Sequence, residues 1–175
     1  MTNGLSLSVT RGLQAVRVRG EAGAAARVRT EVYAGRLVVF ADAPLAGAEV
    51  EVLVSVPALS ALLASGGSVV EASGVAAADG FFLAASGGSG VLLAGQSLRV
   101  EADLSGGAVV EAGELVAAVA RLTASGGSTV ELSVTRELAV EASAGSVVRV
   151  FGAPVVVERT LTGGATLEIE GARAP

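Results

Sequence analysis

The chain has 175 residues, enough for one domain of ordinary size. It is 51% hydrophobic, 17% charged and only 3% aromatic, so it is unlike a disordered protein and small aliphatic side chains must fill its core. It contains no Cys, His, Lys or Trp, which excludes thiol nucleophiles, imidazole bases, Schiff-base lysines, disulfides and soft-metal sites. We therefore expect no metal and no cofactor.

Charge is distributed unevenly along the chain, which carries a net charge of −5. Residues 1–36 contain six Arg and two Glu, a local charge of +4, and the remainder carries −9. A basic segment can contact an anionic surface. We favour solvated strand faces, because the arginines alternate with Val and the chain lacks the basic runs and interleaved aromatics of nucleic-acid sites. No nucleic-acid partner is expected.

Residues 1–57 contain alternating, strand-like segments separated by Gly and Pro: LSLSV, AVRVR, ARVRTEV, RLVVF and AEVEVLVSV. We predict that they form the less regular opening rungs of the fold that the following residues define. The N-terminus has no apolar signal segment, and no stretch approaches the roughly 20 apolar residues of a membrane helix. The protein is expected not to be transmembrane. Both a cytosolic location and the removal of a leader remain open.

Residues 58–170 carry an internal repeat, seen as a corner of small residues that recurs about every 19 positions. We assign a structural role to these corner residues because Gly adopts positive φ at little cost and lets stacked backbones approach closely. The corner residues are Ser65, Gly66, Gly67, Ser86, Gly87, Gly88, Ser105, Gly106, Gly107, Ser125, Gly126, Gly127, Ser143, Gly145, Thr162, Gly163 and Gly164.

Each corner is flanked by positions that alternate between apolar and charged residues. Three aligned columns are wholly apolar: Val70, Val91, Val110, Val130, Val148 and Leu167; Ala72, Leu93, Ala112, Leu132, Val150 and Ile169; and Ala64, Ala85, Leu104, Ala124, Ala142 and Leu161. The column between the first two is mostly charged: Glu71, Leu92, Glu111, Glu131, Arg149 and Glu168. A period of two places the apolar columns on one face of strands and the charged column on the other.

Such rungs can bury their apolar face only by stacking, which predicts an all-β, single-domain parallel β-helix (β-solenoid) over residues 1–175. At about 19 residues per rung, about nine rungs would use the whole chain. Residues 171–175 are predicted to be a frayed tail. The open ends and flat faces of a solenoid also allow a homo-oligomer.

Few residues could bind a phosphate group or act as catalytic acids and bases. The glycine corners do not match a phosphate loop, since GxxxxGK[ST] and GxGxxG are both absent. Glu111 and Glu131 should lie on adjacent rungs, where a close carboxylate pair could support the cleavage of a polysaccharide. We favour a charged ladder that keeps one face soluble, and we assign no catalytic residue. Phe81 is expected in the core and Phe82 on the surface.

The segments PALSALLASGGS (57–68), LRVEADLSGGA (98–108), RLTASGGSTVEL (121–132) and VVRVFGAPVVVERTLTGGATLEI (147–169) resemble the putative auto-transporter adhesin head, or GIN, domain family. Val148, Phe151, Gly152 and Pro154 follow the family's closing pattern. The resemblance implies a right-handed parallel β-helix on an exported bacterial protein, located at the cell surface or in the periplasm. It supplies no catalytic residues.

The leading hypothesis is therefore a non-enzymatic bacterial adhesin-like module that binds a cell-surface glycan or protein through its lateral faces. Three alternatives stay open from the sequence. They are an intracellular polymer-forming β-helix scaffold, a polysaccharide-active β-helix enzyme, and an engineered scaffold.

Overall fold

A computed structural model describes residues 5–45 and 47–172, and it shows a β-solenoid. Strands make up 67% of the structure and helix 2%, and the solenoid has about 6 turns of about 20 residues each. The predicted all-β solenoid is confirmed. The predicted nine rungs are wrong, because much of the N-terminal third of the chain forms other structure. Of the predicted tail, residues 171–172 lie outside any strand, and residues 173–175 lie outside the described residues.

Within the described residues, one short helix and fourteen strands follow one another. The helix α1 spans Ala22–Ala25. The strands are β1 (Leu5–Arg11), β2 (Ala15–Gly20), β3 (Val28–Tyr33), β4 (Arg36–Ala41), β5 (Val50–Val56), β6 (Ala61–Ala64), β7 (Val69–Ala77), β8 (Phe81–Ala85), β9 (Gly90–Leu104), β10 (Val109–Ala124), β11 (Thr129–Ala142), β12 (Val147–Phe151), β13 (Val155–Leu161) and β14 (Thr166–Glu170).

The apolar columns predicted from the repeat form ladders in the core. Val70 pairs with Val91, and the same column continues in register to Leu167 in the last rung. The first five members of each of the three columns are buried. In the last rung Leu161 and Leu167 are half-buried and Ile169 is 43% exposed, because no further rung covers them. Branched and small aliphatic side chains fit these stacked, pleated positions.

The first strand of the chain does not lie at the end of the stack. β1 lies between β5 and β7 and is parallel to both, so residues from the start of the chain complete a rung between segments more than 40 residues later. The order of strands across the main sheet is β14-β12-β11-β10-β9-β7-β1-β5-β2. β14 and β2 form the two ends of this order; off this path, β13 pairs with β11, and β6 pairs with β8, which also pairs with β9.

Two other N-terminal segments differ from the predicted parallel rungs. β2 pairs antiparallel with β5, and β3 and β4 form a separate two-stranded antiparallel hairpin. Side chains from this region cover the core: Ala24, Val28 and Leu45 are buried, and Leu37 and Val39 of the hairpin pack against the core. Alternation alone predicted strands correctly here but did not distinguish a rung from a cap, because parallel and antiparallel strands share the same period.

Two glycines in the wall of the solenoid allow neighbouring rungs to approach. A Cβ atom on Gly95 would overlap the backbone of Val75, and one on Gly152 would overlap the carbonyl oxygen of Val134. Both glycines have positive φ, 142° and 117° respectively. Gly is required at these two places by space as well as by backbone conformation.

Candidate functional site

The six small-residue corners stack directly above one another. Within the stack, the amide of Gly67 donates to the carbonyl of Gly87, and that of Gly88 to Gly106, both at 3.0 Å. Equivalent bonds of 2.9 Å continue through the remaining corners to Gly163. Every Gly that we assigned to a corner has positive φ, and Ala144 occupies one such position at φ 53°. The corner residues thus form a continuous backbone ladder along one edge of the solenoid.

In three of the six corners a serine that directly follows the corner glycines is buried, which the sequence analysis did not recognise. Ser89, Ser128 and Ser146 are buried. The Ser146 hydroxyl donates to Ala124 O at 3.0 Å or Ser143 O at 2.6 Å, and the Ser128 hydroxyl donates to Ser125 O at 2.9 Å. These hydroxyls tie a corner to its own rung or to an earlier one. A serine stands at this position in four of the six corners, which was the available signal.

An open groove of about 470 Å³ follows the corners on one lateral face. One side of the groove is a column of outward strand residues, in which Ala84 pairs with Asp103 and Asp103 with Thr123. The other side is the row of first corner serines. The residues of this lateral groove are Leu63, Ala64, Ser65, Ala84, Ala85, Ser86, Asp103, Leu104, Ser105, Thr123 and Ser125.

The lateral groove offers hydroxyl groups at a regular interval and one carboxylate. Successive rungs of a parallel sheet lie about 4.8 Å apart, so its four corner serines recur at that spacing. Asp103 is the one carboxylate among the lining residues, and its neighbours in the column, Ala84 and Thr123, are small. The groove can therefore accept an extended chain with repeated hydrogen-bonding groups. Repetition of the corner was visible in sequence, but the concave shape was not.

The charged column forms an ion-pair ladder on a different face. Glu111 pairs in register with Glu131, as the repeat predicted. Glu131 accepts a bond of 2.7 Å from Nη1 of Arg149, whose Nε lies 3.3 Å from both Glu168 and Glu170. The hydrogen bonds that Arg149 donates to Glu131 and, with a smaller effect, to Glu168 raise the pKa of Arg149 above its ordinary value. Its guanidinium therefore stays charged across the accessible pH range.

Arg149 is the centre of the ion pairs in this column. The sequence analysis considered Glu111 and Glu131 as a catalytic pair, but Arg149 binds Glu131 directly and the column is solvent-exposed on its outer side. Of the adjacent phenylalanines, Phe81 is buried at 2% exposure and Phe82 is half-buried. Phe82 lies on the outward side of β8, beside Ala61 and Glu101.

Among residues 5–45 and 47–172, His, Cys, Asp and Glu form no cluster of three or more that could hold a metal ion. Over the same residues, no helix has the length and apolar character needed to cross a membrane.

Known proteins share this architecture. The solved structure of a putative adhesin from Bacteroides fragilis superposes on this chain with a TM-score of 0.73 and 14% sequence identity. The alignment covers 97% of this chain and 89% of that chain. A putative adhesin from Parabacteroides merdae superposes with a TM-score of 0.53 and 12% sequence identity, and the alignment covers 98% of this chain and 90% of that chain. These likenesses show the fold. No curated protein sequence matches the chain.

The family assignment comes from the sequence itself. The model of the family described as "Putative auto-transporter adhesin, head GIN domain" matches residues 1–154. This range includes the N-terminal cap, the corners up to Gly145 and the closing segment around Gly152. The resemblance inferred from the repeat is confirmed, and the chain belongs to this family.

Proposed function

We propose that the protein is a non-enzymatic, extracytoplasmic binding module whose lateral groove holds an extended, hydroxyl-rich chain such as a cell-surface glycan. The observation that carries this proposal is the lateral groove itself, which spans four rungs and repeats a serine hydroxyl at each one. The family and the structural neighbours suggest an adhesin-like, cell-surface role without catalysis.

Multivalency supplies the physical basis. Each rung offers one or two hydrogen-bonding groups, which are weak individually because water competes for them. A ligand with a matching repeat engages several rungs at once, and each further contact forms within an already bound complex. The small outward side chain of Ala84 leaves room for the ligand. A rigid wall of paired strands keeps the hydroxyls in place before binding, which limits the entropy cost.

The location is tested by treating intact cells that produce the natural protein with a protease. We expect the domain to be degraded while a cytoplasmic control protein survives. Protection of the domain, together with its recovery in the soluble cytoplasmic fraction, would contradict an extracytoplasmic role.

The binding site is tested with two matched variants. Thr123→Arg places a long charged side chain in the lateral groove, and Thr129→Arg places the same side chain on another wall of the solenoid; both threonines are half-buried strand residues. On an array of bacterial and host surface glycans, we expect Thr123→Arg to weaken binding at least tenfold and Thr129→Arg to leave it unchanged. Binding that both variants retain would place the ligand elsewhere, and wild-type binding to surface proteins alone would refute a glycan ligand.

A further inference from the structure

The two edges of the main sheet are complementary in sequence. One edge is formed by β14, whose sequence is TLEIE. The other edge is formed by β2, whose sequence is AVRVR followed by Gly20. Within the described residues, β14 pairs only with β12 and β2 only with β5. Each therefore presents an unpaired row of backbone donors and acceptors, the usual template for strand addition.

Two columns of side chains run without interruption from β2 at one edge of the sheet to β14 at the other. Arg17 lies opposite Leu53 of β5, and that outward column continues through Ser8, Glu71 and the charged ladder to Glu168. Val18 lies opposite Val52 in the inward column that ends at Leu167. A second solenoid stacked on the same axis would thus place Arg17 next to Glu168 and Val18 next to Leu167.

Strand direction and register agree with this stacking. β2 is antiparallel to β5, while β5 and β14 share the direction of the parallel stack. The junction would be an antiparallel pair, in which Arg17 opposite Glu168 places Val18 opposite Leu167 and Val16 opposite Ile169. Apolar side chains then meet on the inner face and charged ones on the outer face. A shift by one residue would destroy both matches.

Charge and exposure favour the same contact. Glu131, Glu168 and Glu170 surround the single guanidinium of Arg149, so this cluster carries a net charge of −2. Arg17 and Arg19 are exposed, and neither has an ion-pair partner within 4.0 Å among the described residues.

Apolar side chains of both edge strands are also exposed to solvent. Val16 is 40% exposed, Val18 36% and Ile169 43%. Opposite charges directly across an antiparallel pair, and apolar pairs beside them, each stabilise the pairing.

We propose that β14 of one copy pairs with β2 of the next, so that copies of this chain assemble head to tail through an antiparallel strand pair. The contact is heterologous, because it joins two different surfaces and leaves a free edge at each end of the assembly. It goes beyond the proposed binding role and does not depend on it.

A cysteine pair tests the register directly, because the natural sequence has no Cys. We expect the full chain with Arg17→Cys and Glu168→Cys to form a ladder of disulfide-linked multimers under mild oxidation. The Cβ atoms of directly opposed residues lie about 4.5–5.5 Å apart, within reach of a disulfide after a small adjustment. The control carries Arg17→Cys with Glu111→Cys, which lies in the same outward column but in mid-solenoid, and should give no ladder.

A charge exchange tests the same contact without cross-linking. Multimers of the wild-type chain, measured by analytical ultracentrifugation over a dilution series, should be lost in R17E/R19E and in E168R/E170R. An equimolar mixture of the two variants should recover them, because each junction again joins Arg to Glu. Circular dichroism and thermal unfolding of each variant report whether it is folded; if E168R/E170R does not fold, the cysteine pair decides alone.

The proposal is overturned by a wild-type chain that stays monomeric at every concentration, or by equal cross-linking of the two cysteine pairs. Multimers that survive in R17E/R19E would also overturn it, since they would show that the chain self-associates through another surface.

Discussion

At the scale of single residues, glycine is required in two different ways. In the corners, the second glycine has positive φ but open space where a Cβ would lie, as at Gly107 and Gly127. Ala144 shows that a non-glycine residue can adopt the corner conformation. At Gly95, by contrast, the backbone of Val75 occupies the position of the missing side chain. Space, and not φ alone, fixes glycine there.

Gly95→Ala is therefore expected to destabilise the protein by roughly 1–3 kcal/mol, the usual cost of forcing extra volume into a packed site. The matched control is Gly90→Ala in the same strand, where nothing lies within 4 Å of the added methyl group. Chemical denaturation of both variants measures the difference in free energy of unfolding. A Gly95→Ala variant as stable as the control would contradict the close approach between β7 and β9.

At the scale of structural elements, the inward serines join each corner to the strands beside it. The Ser146 hydroxyl is buried and lies within hydrogen-bond distance of two carbonyls. Ser68 occupies the equivalent place in the first corner, and its buried oxygen has no partner among the described residues. Ala108 replaces the serine in the third corner. We therefore expect the hydroxyl to stabilise the fold where it is hydrogen-bonded and to contribute nothing where it is not.

This difference predicts opposite outcomes for one substitution. Ser146→Ala should lower the free energy of unfolding by about 1 kcal/mol, because it removes a satisfied buried hydrogen bond. Ser68→Ala should be neutral or slightly stabilising, because it removes an unsatisfied buried polar group. Thermal or denaturant unfolding of the two variants makes the comparison. Equal losses of stability would show that the serines contribute through packing alone.

At the scale of the whole molecule, the stack is strongest in the middle. β10 is paired along both sides, with β9 and with β11, whereas β14 and β2 are each paired along one side only. A central rung can exchange all of its amides only after the neighbours on both sides have separated, because its amides bond to both. The ends can open locally, as in other quasi-one-dimensional repeats.

We therefore expect amide hydrogen exchange to be slowest in β10 and the flanking parts of β9 and β11, and fastest in β14 and β2. Mass spectrometry of peptic fragments, at a protein concentration where the chain is monomeric, resolves the three regions. Equal protection along the chain would mean that the solenoid opens only by global unfolding. Protection of β14 that rises with concentration would be additional support for head-to-tail pairing.

Much of the solenoid could be predicted from the sequence because its causes are local. The corner spacing, the alternation of Val130 and Leu132 with Glu131, and the glycines of the turns all follow from backbone period and conformational preference. The register of Glu111 against Glu131 followed from aligning the corners. The lateral groove could not be predicted in this way, because its concave shape arises only when the strand face and the corner row are folded against each other.

The sequence by itself determined the period, the core columns and the corners, and through them the family. Only the tertiary structure decided that β1 lies between β5 and β7, that β2 runs antiparallel, and that β3 and β4 form a cap. The physical reason is that alternation states which face of a strand is buried but not which strand lies beside it. That choice is made by packing between segments distant in the chain, and it creates the two complementary edges.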